Sequence, residues 1–145
     1  MIGLLQRVSD ASVTVEGEVI GRIGPGLLVL VGVQPDDTEA RAARLLERLL
    51  GYRVFEDAEG RMNCSLRETG GGLLLVPQFT LAADTRSGTR AGFSTAASPE
   101  LARELFAWLV GHARERYPGV ASGRFGADMK VALVNDGPVT FWLES

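Results

Sequence analysis

The sequence predicts an α/β fold, a β-rich single domain over residues 1–145 with two amphipathic helices covering a sheet. Three observations carry this expectation. β-branched and aromatic residues recur in short runs along most of the chain. Only two segments carry an apolar stripe at helical spacing. Leu27 to Val33 is an apolar run without polar interruption, as expected of a strand covered on both faces. Element order alone leaves an α+β arrangement of the same pieces open.

The first strand begins in "LLQRV" and continues through Ser12-Val13-Thr14-Val15, where polar and apolar residues alternate before a turn at Glu16-Gly17. After the apolar run, Asp36 or Asp37 is placed to cap a helix reaching about Leu50. Ala42, Leu45, Leu46 and Leu49 form its stripe, and Gly51 ends it. "GYRVFED" and "GGGLLLVPQFTLAAD" read as further strands. Ser98-Pro99 starts the second helix, because proline at the first helical position forfeits no hydrogen bond. Leu101, Leu105, Trp108 and Leu109 mark its buried face, Arg103 reads as surface, and Tyr117-Pro118-Gly119 stops it. "DMKVALV" and "VTFWLES" complete the sheet. In the last strand Val139, Phe141 and Leu143 share one face, and Trp142 lies on the other with Thr140 and Glu144. An indole on a polar face predicts contact with another subunit, hence a two-fold dimer. Asn135-Asp136-Gly137-Pro138 interrupts this strand sequence. Proline has no N–H for a ladder, so the interruption is a turn, an edge or a special backbone shape.

Composition narrows the function. No apolar run is long enough to span a bilayer, and no charged segment leads into a long apolar stretch near the N-terminus, so neither a membrane span nor a signal peptide is expected. The single cysteine, Cys64, forms no internal disulfide and fits a reducing cytoplasm. It reads as a small buried thiol, since no base is evident to activate it. One histidine, His112, at the edge of the second helix's stripe, reads as a partly buried helix residue. Without further His or Cys ligands, neither a metal nor a cofactor is expected. "GRIGPG" and "TGGG" both precede strands, whereas a phosphate-cradling loop leads into a helix, so both read as tight turns. A net charge of −3 argues against a broad nucleic-acid surface. Arg86, Arg90, Arg124 and Lys130 remain available for a few phosphate contacts, or simply as solvated charges.

The most informative segment is "VPQFTLAADTRSGTRAGF", where Gln78, Phe79 and Thr80 arrive as an apolar strand meets a polar loop. Together with "QRVSDASVTVEGEVIGRIGPGLLVLVGV", "PQFTLAADT" resembles the bacterial D-aminoacyl-tRNA deacylases, whose corresponding motif is SQFTL. "FGADMKVALVNDGPVTFWL" resembles their NxGPxT motif, and the likeness covers essentially the whole chain. The resemblance implies an editing hydrolase that cleaves the ester joining a D-amino acid, or glycine, to the terminal adenosine of tRNA. It also implies a homodimer with its sites at the subunit interface. There a cis Gly137-Pro138 bond reaches into the partner's pocket. Carried over residue by residue, it makes Thr80, Gln78 and Phe79 catalytic. Gly137, Pro138, Pro77, Asn135, Arg7 and Met129 then serve substrate binding and selectivity, with Arg7 buttressing the Gly-Pro loop. Pro77 departs from the family's serine and offers neither a hydroxyl nor an N–H. Thr80 is the one hydroxyl left in the motif, as nucleophile or as positioning group. An already reactive ester asks mainly for positioning and an oxyanion hole, which backbone N–H groups near Phe79 and Thr80 can supply. A route assisted by the substrate's own ribose hydroxyl is therefore expected. Two rival classes stand beside it: a dimeric tRNA- or ligand-binding module without catalysis, and a hydrolase using Cys64.

Overall fold

Leu27, Val29 and Val31 point to one side of the sheet and Leu28 to the other, and all four are buried. This is the two-sided burial expected of an unbroken apolar run. The computed structural model describes residues 1–145. β1 (Ile2–Val15) is the long central strand. Along one edge it pairs antiparallel with β2 (Glu18–Ile23) over its second half and with β3 (Gly26–Gly32) over its first. β6 (Gly72–Pro77) adds parallel to β3, and β7 (Val120–Ser122) adds parallel to β6. β8 (Lys130–Glu144) runs antiparallel along the free edge of β1. β2 packs back against β6 and β7, so the sheet curls toward a barrel. A separate two-stranded hairpin is formed by β4 (Phe55–Glu56) and β5 (Met62–Cys64), with Phe55 packed against the main apolar cluster.

Two apolar clusters follow from the alternation. The larger lies between the sheet and the helices α1 (Glu39–Gly51) and α3 (Pro99–Arg116); its sheet residues include Leu5, Val29 and Leu75. The smaller fills the concave side, where Val8, Val13, Leu28, Leu74 and Val76 meet. Gly26 and Gly72 pair across the parallel ladder so closely that a Cβ on Gly26 would lie 2.0 Å from the Gly72 carbonyl oxygen. Both glycine motifs thus serve close backbone packing, and neither opens a helix that could hold a phosphate.

Several details differ from the expectation: the strand expected over "GGGLLLVPQFTLAAD" ends at Pro77, and "DMKVALV" and "VTFWLES" belong to one strand, β8. A third helix, α2 (Leu66–Thr69), is a single turn held by a capping box: the Ser65 hydroxyl accepts from Glu68 N–H, and the Glu68 carboxylate accepts from Ser65 N–H. The cap of α1 is Thr38, whose hydroxyl accepts from Arg41 N–H at 3.3 Å, not Asp36 or Asp37. Cys64, at the end of β5, is only half-buried. Arg103 is exposed, as expected, and its guanidinium lies 5.2 Å from the centre of the Phe125 ring.

Asp37 has other work. Its carboxylate pairs with the α-ammonium of Met1, both side chains being fully buried, and accepts from Gln34 N–H at 2.7 Å. Removing one member of a buried pair leaves the other charge desolvated, which costs about 3–5 kcal/mol. Asp37→Ala is therefore expected to lower the melting temperature by roughly 10 °C. Calorimetry checks this, and a loss under about 2 °C would contradict it.

Candidate active site

β3, β6 and β7 run parallel, and a crevice opens beyond their carboxyl ends, where parallel sheets present ligand sites. A cavity of about 460 Å³ sits there. Val76, Pro77, Gln78 and Phe79, at the end of β6, form one wall. Ala97, Pro99 and Ala102, around the start of α3, form a second. Phe125 to Met129 and Val131 close the third. The lining is mainly apolar, with Gln78 and Asp128 as its polar groups, a composition suited to an aromatic or heterocyclic ligand. Arg103 lies over the Phe125 ring, so this wall carries a cation–π contact.

Pro77 fits its position without loss, because it is the last residue of β6 and owes the sheet no N–H beyond it. The chain then turns into a 3₁₀ segment, Phe79–Ala82. Gln78 N–H donates to the Val31 carbonyl at 2.8 Å, which ties this turn to β3. The Phe79 and Thr80 N–H groups, at the open end of the 3₁₀ turn, have no hydrogen-bond partner within the chain. They form a pair of donors at the mouth of the cavity. Gln78 Nε2 donates to Thr80 Oγ1 at 2.6 Å, the only side-chain bond that Thr80 makes. Thr80 makes no hydrogen bond to a histidine, carboxylate or amine that could take its proton. His112 stacks on Trp108, with ring centres 4.6 Å apart, in a groove between α1 and α3 that shares no lining residue with the cavity.

The second constellation is built on β8. Gln6 pairs with Thr140 and Val8 with Asn135, so a single residue of β1, Arg7, faces residues 136 to 139. Those residues bulge out of the ladder. Of the three possibilities for Asn135-Asp136-Gly137-Pro138, this is a special backbone shape on an edge strand. The Gly137-Pro138 peptide is cis, and Gly137 has φ +129°. Arg7 lies beneath the bulge and is almost wholly buried. Its Nε donates to the Asp136 carbonyl at 2.9 Å, and its Nη1 donates to the Val54 carbonyl at 2.6 Å. Asn135 clips both ends of the bulge: Oδ1 accepts from Val139 N–H at 3.1 Å, and Nδ2 donates to Thr140 Oγ1 at 2.9 Å. Its amide thus serves the loop itself.

The structure therefore gathers Pro77, Gln78, Phe79 and Met129 at one cavity, with Thr80 bonded to Gln78 beside it. Arg7, Asn135, Gly137 and Pro138 come together at the bulge, and none of them lines that cavity. Among the basic candidates, Arg86 is held in a two-pronged pair by Asp84, at 2.8 and 2.7 Å, which keeps that carboxyl well below the usual carboxylate range. Lys130 reaches Asp128 at 3.3 Å. Arg124 shares a polar hollow beside the cavity with Lys130, Thr14 and Glu16. Phe125, Arg103 and Thr140 were not singled out as site residues. Phe125 is an isolated aromatic in a polar loop, a signal visible in the sequence, whereas the Arg103 contact depends on tertiary packing.

The family described as D-Tyr-tRNA(Tyr) deacylase matches residues 4–144 of this chain. The chain belongs to that family. A "D-aminoacyl-tRNA deacylase" of Thioalkalivibrio sulfidiphilus is 69% identical over 144 residues, covering 99% of this chain and 97% of the relative. One from Pseudomonas fluorescens is 64% identical over 145 residues, covering both chains fully. Among solved structures, the c-Myc DNA Unwinding Element Binding Protein superposes with a TM-score of 0.95 at 38% identity, covering 100% of this chain and 99% of its own. A probable eukaryotic D-amino acid tRNA deacylase superposes with a TM-score of 0.84 over 99% of this chain and 98% of its own; at 19% identity this shows the shared fold alone. The family match thus spans both the cavity and the bulge. No helix is long and apolar enough to cross a membrane.

Proposed function

We propose that the chain hydrolyses D-aminoacyl-tRNA, and glycyl-tRNA as well, releasing the amino acid and the tRNA as a proofreading step of cytoplasmic translation. The observation that carries this reading is the pair of unpartnered N–H groups of Phe79 and Thr80 at the mouth of an apolar cavity. The cavity takes the terminal adenosine, which brings the ester carbonyl to these donors. Water attacks the carbonyl carbon, and the oxyanion that develops accepts from both N–H groups. The bond to the ribose oxygen then breaks, and that oxygen takes up the proton lost by the water. With no base beside Thr80, the neighbouring ribose hydroxyl of the substrate orients the water and relays the proton. Gln78 and Thr80 fix the turn that holds the donors.

Selectivity belongs to the Gly137-Pro138 bulge of a second copy, placed over the cavity so that its backbone excludes an L side chain. Backbone suits this task because it cannot move aside as a side chain does. Two features support a dimer. β8 pairs with β1 alone and so presents a long open edge. Val134 and Trp142 on this strand are also 54% and 49% exposed, apolar surface that a second copy would cover. At micromolar concentration, light scattering is expected to give twice the mass of one chain, and the mass of one chain would remove the two-copy site. A binding module without catalysis, as the name of the DNA-binding relative invites, has less to stand on: the net charge is −3, and Arg86 and Lys130 are already paired. Cys64 lies on the two-stranded hairpin and does not line the cavity. The deciding assay compares matched D- and L-tyrosyl-tRNA and glycyl-tRNA with purified protein. D-tyrosyl and glycyl esters are expected to be cleaved and the L ester left intact; equal cleavage of D and L would overturn the reading.

A further inference from the structure

Phe79 and Phe93 form an exposed aromatic pair at the mouth of the cavity, and the fold makes no use of it. Their ring centres are 5.3 Å apart, and they remain 55% and 50% exposed. Phe79 lines the cavity; Phe93 stands outside it, on the loop that follows the 3₁₀ turn. Neither ring belongs to either apolar cluster, so neither is explained by the core. Fixed, solvent-facing rings at the rim of a pocket for one nucleoside suit the next base of a single strand, because every base has a face that stacks on an aromatic ring.

The loop that carries Phe93 is tied down at each end. Asp84 and Gly92 exchange backbone hydrogen bonds at 2.8 and 2.9 Å, and Arg86 grips the Asp84 carboxylate. Thr95 Oγ1 donates to the Ala82 carbonyl at 2.6 Å, and Ala97 N–H donates to the Val33 carbonyl at 3.0 Å. A ring on so constrained a loop loses little freedom when a base stacks on it. With Arg86 spent on Asp84, Arg90 is the loop's remaining cation, a sign suited to a phosphate beside that base.

We propose that Phe79 and Phe93 are a stacking platform for the base preceding the terminal adenosine, so that the protein grips two nucleotides of its substrate's single-stranded end. This rests on the substrate reading above and adds a second subsite to it. A second copy of the chain is the rival occupant of the same rings.

The test compares D-tyrosyl-adenosine with the D-tyrosyl ester of the trinucleotide cytidyl-cytidyl-adenosine. With the wild-type protein, the trinucleotide is expected to show kcat/KM higher on the order of tenfold, the gain one stacked base supplies. In Phe93→Ala that gain is expected to fall below about twofold, and in Phe93→Trp to persist. Equal losses on both substrates, or an undiminished gain in Phe93→Ala, would overturn the platform, as would a Phe93→Ala protein of halved mass in light scattering. Calorimetric binding of the uncharged trinucleotide and of adenosine gives a readout independent of cleavage. If the wild-type protein cleaves no D ester yet binds the trinucleotide more tightly than adenosine, and Phe93→Ala abolishes the difference, the deacylase reading fails while the platform stands.

Discussion

Gly137→Ala is expected to lower kcat/KM for D-tyrosyl-tRNA on the order of 100-fold while the chain still folds. Two facts converge on this position. Its φ of +129° lies where residues with a Cβ rarely go. A Cβ built there would stand 2.8 Å from Arg7 Nη2, 2.9 Å from Val139 Cγ2 and 3.3 Å from Val139 N. Room can be made only by moving the Arg7 guanidinium or the bulge. Arg7 is fixed by the carbonyls of Asp136 and Val54, so moving it lets go of the bulge from below. Either response shifts the proposed selectivity wall by a fraction of an ångström to an ångström, and reactive geometry is that sensitive. Arg61→Ala is the comparison, because that side chain is 80% exposed on the two-stranded hairpin and pairs only with Glu59. Steady-state kinetics on both variants, with circular dichroism to confirm folding, checks the expectation. A Gly137→Ala protein within twofold of Arg61→Ala would detach the bulge from the chemistry.

The elements of this fold were legible where periodicity is local. The Leu27 run, the stripe of α1 and the Ser98-Pro99 helix start each record burial or capping within a few residues. What sequence could not show depends on partners far along the chain. Asp37 looks like a helix cap until the Met1 ammonium, 36 residues earlier, captures its carboxylate and leaves the cap to Thr38. The Ser65/Glu68 capping box is plain in the sequence, but the helix it caps is one turn long and carries no stripe to reveal it. Asn135-Asp136-Gly137-Pro138 announced an interruption without its size. The bulge is defined by the register of β8 against β1, and register is tertiary information. The site divides in the same way. Pro77, Gln78 and Phe79 could be placed at a strand end from the apolar run before them. That Arg103 lies over Phe125, or that Arg7 reaches Val54, appears only when the chain is folded.

The second large effect concerns the substrate rather than the protein. A D-tyrosyl-tRNA whose terminal residue is 2′-deoxyadenosine is expected to be cleaved more slowly on the order of 1,000-fold, whereas Thr80→Ala retains measurable turnover of the normal substrate. Thr80 Oγ1 makes one side-chain hydrogen bond, to an amide, and an amide takes no proton at neutral pH. A nucleophilic hydroxyl needs a base within hydrogen-bond reach, and the chain's one histidine is stacked on Trp108 elsewhere. Hydrolysis still requires that a proton leave the attacking water and that one reach the departing ribose oxygen. In the proposed mechanism the adjacent ribose hydroxyl serves both tasks, so removing it removes the relay, while the proposed oxyanion donors of Phe79 and Thr80 remain as backbone. Single-turnover rates with the ribose and deoxyribose substrates, each on wild-type protein and on Thr80→Ala, separate the alternatives. A covalent threonine route predicts a dead Thr80→Ala and an ester trapped on the protein, with the deoxy substrate unaffected at the first step. Substrate assistance predicts the reverse pattern, and undiminished cleavage of the deoxy substrate would eliminate it.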